Sequence, residues 1–508
     1  MKSTLIRLIE GERVRNPLYF RVVRSYALPR FCIWGLFMRF TGFVVAAAGL
    51  AAVQAASAAD MPTKGPVYKA PMAAATPWTG FYFNGGVGYG MWAADQTLLD
   101  PVTGVCVQCP TQVQGGKGFL GTLGAGYDYQ FTPKIVAGLF GDASLSGLKG
   151  TIQDSGPFLA GDIKQTSSWA VGGRIGWLVS PKTLSYWNGG YTGARFSGAN
   201  MVTTQAGAPT AFSTPATTFN GWFLGGGIET SLAPNWFWRT EYRYAYYGSK
   251  QLPDTNGAGG SNLTFNIKPT VQTVTSQIVY KFNGGMPAPV YPAAPEMATK
   301  WTGLYANAGM GYGLWNADTT VLAPGTNICA LCAVQVQGGK GYLGVVGAGY
   351  DYQFAPTWVA GAFGDFNVSS LKGTIQTQGP QWNGEIKQTS AWAGGARLGW
   401  LPSQQTMTYV NGGYSGAQFS GTTPVSNFSG AVIGNTTPGF SRSGWFVGGG
   451  VETTFDFFGM LGKGWFWRSE YRYASYGTQT VVDSTGINAI TFKPVVQTVT
   501  SQVVFKFN

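Results

Sequence analysis

Eight stretches of alternating apolar and polar residues, joined by connections that alternate strictly between short and long, restrict this chain to a closed sheet. In its first half they run over 80–92, 117–131, 134–145, 167–179, 183–196, 219–231, 236–247 and 271–282. Period-two alternation predicts strands with two unlike faces. Thr132-Pro133, Ser180-Pro181-Lys182 and Leu232-Ala233-Pro234-Asn235 are tight turns, whereas 93–116, 146–166, 197–218 and 248–270 are long polar loops. Short turns at one end and long loops at the other is the pattern of membrane-spanning barrels. A soluble sandwich would not sort its loops by parity. Most of the stretches exceed the roughly 9–11 residues a tilted strand needs to cross a bilayer.

The faces say which solvent each side meets. Phe119, Leu123, Ala125, Tyr127, Tyr129 and Phe131 share one face of the second strand, and Thr122, Gly124, Gly126, Asp128 and Gln130 the other. In the seventh, Trp238, Tyr242 and Tyr244 oppose Arg239, Glu241 and Arg243. In the eighth, Val274, Ile278, Tyr280 and Phe282 oppose Thr275, Gln277 and Lys281. The apolar face is predicted to meet lipid and the charged face to point inward, and Trp177, Trp236 and Trp238 suit an interfacial aromatic girdle. Composition agrees: Gly supplies 76 of 508 residues and aromatics 15%, while charged residues are only 11%. No apolar run in the body of the chain is long enough for a spanning helix.

The inward charges balance. Asp128, Asp142, Glu229 and Glu241 face Arg174, Arg239, Arg243 and Lys281. An eight-stranded barrel is just wide enough for side chains to fill it, and a buried charge needs a partner to offset its desolvation. These residues are therefore read as a structural plug, with ion conduction as the alternative. Gly86, Gly88, Gly124 and Gly126 are predicted to leave room for the long Arg and Glu arms.

The whole pattern occurs twice. Trp78 to Glu229 realigns without a gap on Trp301 to Glu452, an offset of 223 residues, and later length changes fall in turns or loops. A repeat of this size is a whole domain rather than a solenoid unit. The eight charges recur as Asp351, Asp365, Glu452, Glu470, Arg397, Arg468, Arg472 and Lys506. Sixteen strands could close into one porin-sized barrel. Against that, the join at 283–300 is rich in Pro and Ala, and its Pro289-Val290-Tyr291 copies Pro66-Val67-Tyr68. Each unit also balances its own charge. The expected fold is therefore all-β: two tandem eight-stranded antiparallel up-and-down transmembrane barrels, at 78–282 and 301–508, joined by a periplasmic linker at 283–300.

The first 77 residues read as export and spacing. Met38-Arg39, an apolar run from Phe40 to Val53 and Ala56-Ser57-Ala58 form a secretory signal. Residues 1–58 are thus a leader with its expected translation start at Met38, and 59–77 a periplasmic arm. The leader holds eight basic and two acidic side chains, so the formal +12 falls to +6 in the mature chain. That is too mild, and too scattered, to imply nucleic-acid binding.

Chemistry is sparse. The chain has no His, which removes Ser-His and Cys-His nucleophile pairs and the commonest zinc ligand. Gly115-Gly116-Lys117 lacks the spacing of a phosphate loop. No catalytic, cofactor or metal residue is expected, and the reading is not an enzyme. Cys106 and Cys109, repeated as Cys329 and Cys332, sit in the first long loop of each unit, where oxidising surroundings favour a disulfide. A redox role or a four-Cys metal site between the units is the alternative. Lysines at the loop edges also recur: Lys117/Lys340, Lys149/Lys372, Lys164/Lys387 and Lys268/Lys493. On an outer rim they would meet lipopolysaccharide phosphates, or be ordinary solvated lysines.

Four motifs recur in order: Trp78-Thr79-Gly80-Phe81-Tyr82, Tyr89-Gly90, Glu241-Tyr242-Arg243-Tyr244 and Val279-Tyr280-Lys281-Phe282. In the second unit they are Trp301-Thr302-Gly303-Leu304-Tyr305, Tyr312-Gly313, Glu470-Tyr471-Arg472-Tyr473 and Val504-Phe505-Lys506-Phe507. With these the mature chain resembles the α-proteobacterial outer-membrane β-barrel family, small immunogenic surface proteins related in shape to the OmpA membrane domain. The resemblance implies outer-membrane location, a barrel fold and a role in envelope integrity or surface interaction; the expected partners are outer-membrane lipid, lipopolysaccharide at the lysine rim and the barrel-insertion machinery during assembly. It implies no established chemistry. A passive porin-like channel is the alternative function. The chain departs from the family in carrying two barrels, and in Asn508 following the terminal aromatic Phe507.

Overall fold

The computed structural model describes residues 78–154, 156, 158–257, 261–282, 299–323, 325–377, 381–454, 463–486 and 489–507. The leader, the periplasmic arm, nearly all of the linker and Asn508 lie outside the described residues. In the first unit the strands are β1 (Gly80–Leu99), β2 (Cys106–Gln130), β3 (Ile135–Asp154), β4 (Leu159–Ser180), β5 (Thr183–Phe196), β6 (Ala199–Thr203), β7 (Pro209–Thr214), β8 (Thr217–Ala233), β9 (Trp236–Tyr247), β10 (Lys250–Thr255) and β11 (Ser261–Lys281). The second unit holds β12 (Gly303–Leu322), β13 (Cys329–Ala355), β14 (Trp358–Thr377), β15 (Trp382–Ser403), β16 (Thr406–Phe419), β17 (Val425–Ser426), β18 (Phe440–Thr454), β19 (Trp465–Tyr476), β20 (Gln479–Val482) and β21 (Ala489–Phe507).

Every pairing between these strands is antiparallel. In the first unit the order is β1-β2-β3-β4-β5-β8-β9-β11, and β11 returns to β1 with Gly86 opposite Gln277. In the second it is β12-β13-β14-β15-β16-β18-β19-β21, and β21 returns to β12 with Gly309 opposite Gln502. Each unit's strand pairing is therefore an eight-membered ring. The short strands β6, β7, β10, β17 and β20 extend the loops at one end.

The outer surface is apolar. Phe119 is 76% exposed, Leu139 73% and Leu145 77%, and Phe81, Val87, Leu123 and Ile175 are exposed with them. A belt of that extent is foreign to a water-soluble surface and matches a lipid-facing one. Trp177 and Trp236 are exposed on it, near the tight turns. Trp238 hydrogen-bonds its ring N–H to Ser276 Oγ at 2.8 Å.

The long connections differ from the expectation of polar loops. Strands β1, β2, β3 and β4 continue far into 93–116 and 146–166. Inward residues of these strands and of β11 build an apolar cap, with Trp92, Leu98, Ile152, Ile163, Phe265 and Ile267 in one buried cluster. An equivalent cluster contains Trp315, Val321, Ile375, Ile386, Ile490 and Phe492. The sequence hides this cap because its apolar residues alternate with Gln, Thr and Asp, which face out or bond across the interior.

Several aromatics also point inward, contrary to a purely outward aromatic face. Tyr82, Tyr186, Phe223 and Phe237 are each at most 2% exposed. Of the inward glycines, Gly126 makes room for an aromatic ring and Gly86 and Gly88 for neighbouring backbone, while Gly124 gives space to the Asp142 side chain. A Cβ on Gly126 would overlap the Tyr82 phenol, and one on Gly116 the Trp92 indole. A Cβ on Gly86 or Gly88 would strike the backbone of β11.

Candidate functional site

The inward charges assemble into two tiers. Nearer the tight turns, Asp128 on β2, Arg174 on β4, Glu229 on β8, Arg239 on β9 and Lys281 on β11 meet. Arg174 clamps Asp128 through two nitrogens, with Nε at 2.8 Å, and reaches Glu229 through Nη1 at 2.9 Å. Arg239 binds Glu229 at 2.7 Å, and Lys281 bridges Asp128 at 2.7 Å and Glu229 at 3.0 Å. Gly138 of β3 lies in register between Asp128 and Arg174, so no side chain separates them. The Tyr82 ring takes Arg174 and Arg239 against it at 4.7 and 4.8 Å. Two like charges thus share one π surface, a favourable cation–π arrangement.

The second tier sits further in. Arg243 binds Asp142 at 2.8 and 2.9 Å and Glu241 at 2.8 Å. Glu241 accepts from Tyr186 Oη and Asn188 Nδ2, each at 2.8 Å. The second unit repeats both tiers. Arg397 and Lys506 hold Asp351 and Glu452, Arg468 holds Glu452 at 2.7 Å, and Arg472 holds Asp365 at 2.8 Å and Glu470 at 2.6 Å. The four-against-four balance is therefore unevenly divided. Counting formal charges, the first tier has three cations against two carboxylates, and the second has one against two.

Multiple charge-assisted hydrogen bonds offset the cost of burying these ions. Above the second tier lies a void of about 40 Å³, bordered by Thr122, Ser144, Ser168, Glu241, Arg243 and Gln277. That is room for a few water molecules. Leu120, Ala245, Tyr247 and Val271 of the buried cluster also border it.

Cys106–Cys109 and Cys329–Cys332 are each closed as a disulfide within their own loop. Among the described residues no group of three or more Cys, Asp or Glu is gathered to hold a metal. Each disulfide-bearing segment touches the opposite unit. Cys332 N–H donates to Gln205 O, Ala333 N–H to Thr204 O, and Asn383 Nδ2 to Pro110 O.

The two units meet along a seam whose contacts are reciprocal. Lys117 binds Asp318 at 2.7 Å, and its counterpart Lys340 binds Asp95 at 2.8 Å. Val113 N–H donates to Thr374 Oγ1, and Val336 N–H to Thr151 Oγ1, both at 2.8 Å. Tyr89 stacks edge-on with Tyr473, and Tyr244 with Tyr312, each pair 5.4 Å apart. Met91, Ala93, Val113, Leu314 and Val495 bury one another beneath these contacts. Contacts that exchange i–j for j–i are the signature of a two-fold interface.

The other rim lysines are placed by strand register. Lys117 lies opposite Lys149, and Lys149 opposite Lys164; Lys340, Lys372 and Lys387 repeat the row. Lys149 pairs with Asp162 at 2.7 Å and Lys372 with Glu385 at 3.0 Å, all well exposed. Lys268 lies opposite Asp95, and Lys493 opposite Asp318. A hydrogen bond with the Tyr246 phenol raises the Lys268 pKa, which keeps its charge fixed near neutrality. Sequence reasoning missed Asp95 and Asp318. Their recurrence at the repeat offset was the available signal.

Residues 43–282 match the family described as outer membrane protein beta-barrel domain. The 31 kDa outer-membrane immunogenic protein of Brucella melitensis is 30% identical over 209 residues, covering 40% of this chain and 84% of that protein. The 25 kDa outer-membrane immunogenic protein of Brucella abortus is 27% identical over 241 residues, covering 47% and 96%. Among solved structures, the P. putida toluene transporter TodX aligns over 84% of this chain and 90% of its own, at 11% identity and a TM-score of 0.26.

Proposed function

The chain belongs to the outer-membrane β-barrel protein family and resides in the outer membrane, and from that premise we propose that it is a non-enzymatic structural and surface-interaction protein built as two eight-stranded barrels in one chain. The observation that carries this reading is the closure of both ion tiers. Every carboxylate in them is held by Arg or Lys in both units. A barrel filled in this way stabilises the membrane protein and leaves the loops and rim as its working surface. The strand pairings that return to the first strand within each unit support two barrels over a single sixteen-stranded one.

Absence of His and the full pairing of the inward carboxylates support a role without catalysis. A passive pore for small solutes is the second reading. It is favoured by the polar void beside Arg243, whose Nε has no acceptor within hydrogen-bond distance. Rotation of that side chain would lengthen the void. Swelling of proteoliposomes in small sugars separates the two. Swelling no faster than in protein-free liposomes supports the plugged barrel, and rapid swelling supports the pore.

A further inference from the structure

The eight recurring lysines fall into two lines, and each line crosses the seam. Following register and contact, the first runs Lys493–Asp318–Lys117–Lys149–Lys164, with Lys493 and Asp318 from the second unit and the rest from the first. The second runs Lys268–Asp95–Lys340–Lys372–Lys387, with the units exchanged.

Directly opposed lysines on neighbouring strands are unfavourable, yet three stand in a row on three adjacent strands, and the row is present in both units. Each line has four lysines and only two carboxylates along it, Asp318 with Asp162 and Asp95 with Glu385. The excess positive charge lies at the edge of the exposed apolar belt. Phe119, Leu145 and Trp169 are exposed on the strands that carry the first row, and Tyr342, Val368 and Trp392 on those that carry the second. A lysine there keeps its ammonium at headgroup depth with its methylene stem along the apolar surface. An anion seated on such a row relieves the repulsion, and an anion with acyl chains also covers the belt below.

We propose that each side of the seam is a composite binding site for a phosphorylated outer-leaflet lipid, its phosphates held by two lysines of one unit and one of the other. The proposal rests on the outer-membrane reading and on two separate units. It gives the duplication a purpose, since neither unit alone supplies a full line. The Lys117–Asp318 and Lys340–Asp95 ion pairs set the register between the units and leave Lys149, Lys164 and Lys493, or Lys372, Lys387 and Lys268, to face the ligand.

The test uses the full mature chain refolded in detergent, with bis-phosphorylated lipid A as the probe and native mass spectrometry as the readout. Two-fold reciprocity predicts retention of about two lipids per chain. Each lysine near an anionic surface contributes about fivefold in affinity, so Lys149→Gln with Lys164→Gln weakens one site roughly 30-fold, and Lys493→Gln weakens that same site about fivefold. Heat-modifiable gel mobility confirms that the variants stay folded. Equal retention of the dephosphorylated lipid overturns the phosphate assignment. Displacement by inorganic diphosphate overturns the lipid assignment. A response to Lys149→Gln and Lys164→Gln without one to Lys493→Gln overturns the composite site. Resistance of the membrane-bound protein to urea extraction is scored separately, so failure of the outer-membrane reading is distinguishable.

Discussion

Cations face carboxylates in two regions of each unit, and the two regions behave as different materials. Inside the rings, Arg174 and Glu229 are at most 5% exposed and each touches more than one opposite charge. At the rim, Lys149 and Asp162 form a single contact with over 60% of each side chain exposed. The two ion tiers repeat residue for residue between the units, down to the glycine that lets Asp and Arg meet. Rim pairs also repeat, but with Asp162 exchanged for Glu385. Burial makes geometry matter inside, because an unpaired ion there has no solvent to turn to. Outside, water and salt screen each pair, so the arrangement is free to serve a ligand.

The comparison can be broken first at Arg174. Arg174→Ala leaves Asp128 and Glu229 short of a buried partner and should cost about 4 kcal/mol, read as a lower urea midpoint by Trp fluorescence; Arg397→Ala should match it. An equal loss from Lys149→Ala would erase the distinction between the regions. Next comes the cap. Phe265→Ala removes a fully buried ring and should cost about 3 kcal/mol, while the tiers below keep their ion pairs. A smaller effect is expected from Tyr186→Phe, which deletes one donor to the Glu241 carboxylate and should cost about 1.5 kcal/mol. The smallest belongs to the rim: Lys149→Gln should move the midpoint by less than about 0.5 kcal/mol, whatever it does to lipid binding.

What the sequence made legible follows from local periodicity. Strands, tight turns and the inward charges are all set by alternation within one strand, so Asp128, Arg174 and Arg243 could be placed without knowing their partners. Pairing was not legible, because it depends on register across several strands; that Gly138 lies between Asp128 and Arg174 is a property of three strands at once. The cap was misread for a related reason. Leu98, Ile152 and Phe265 are separated by more than fifty residues each and surrounded by polar neighbours, so no local window marks them as a core. The seam lay furthest from view. Lys117 and Asp318 belong to different units, and only docking the units brings them together.

The central claim is that the strands close in two filled rings of eight rather than around one wide water-filled pore. Planar-bilayer recording of the refolded full-length mature chain tests it most directly. The account predicts no conductance steps above the lipid baseline beyond small, rare events from side-chain motion beside Arg243. Stable openings of the nanosiemens scale typical of sixteen-stranded porins would contradict it.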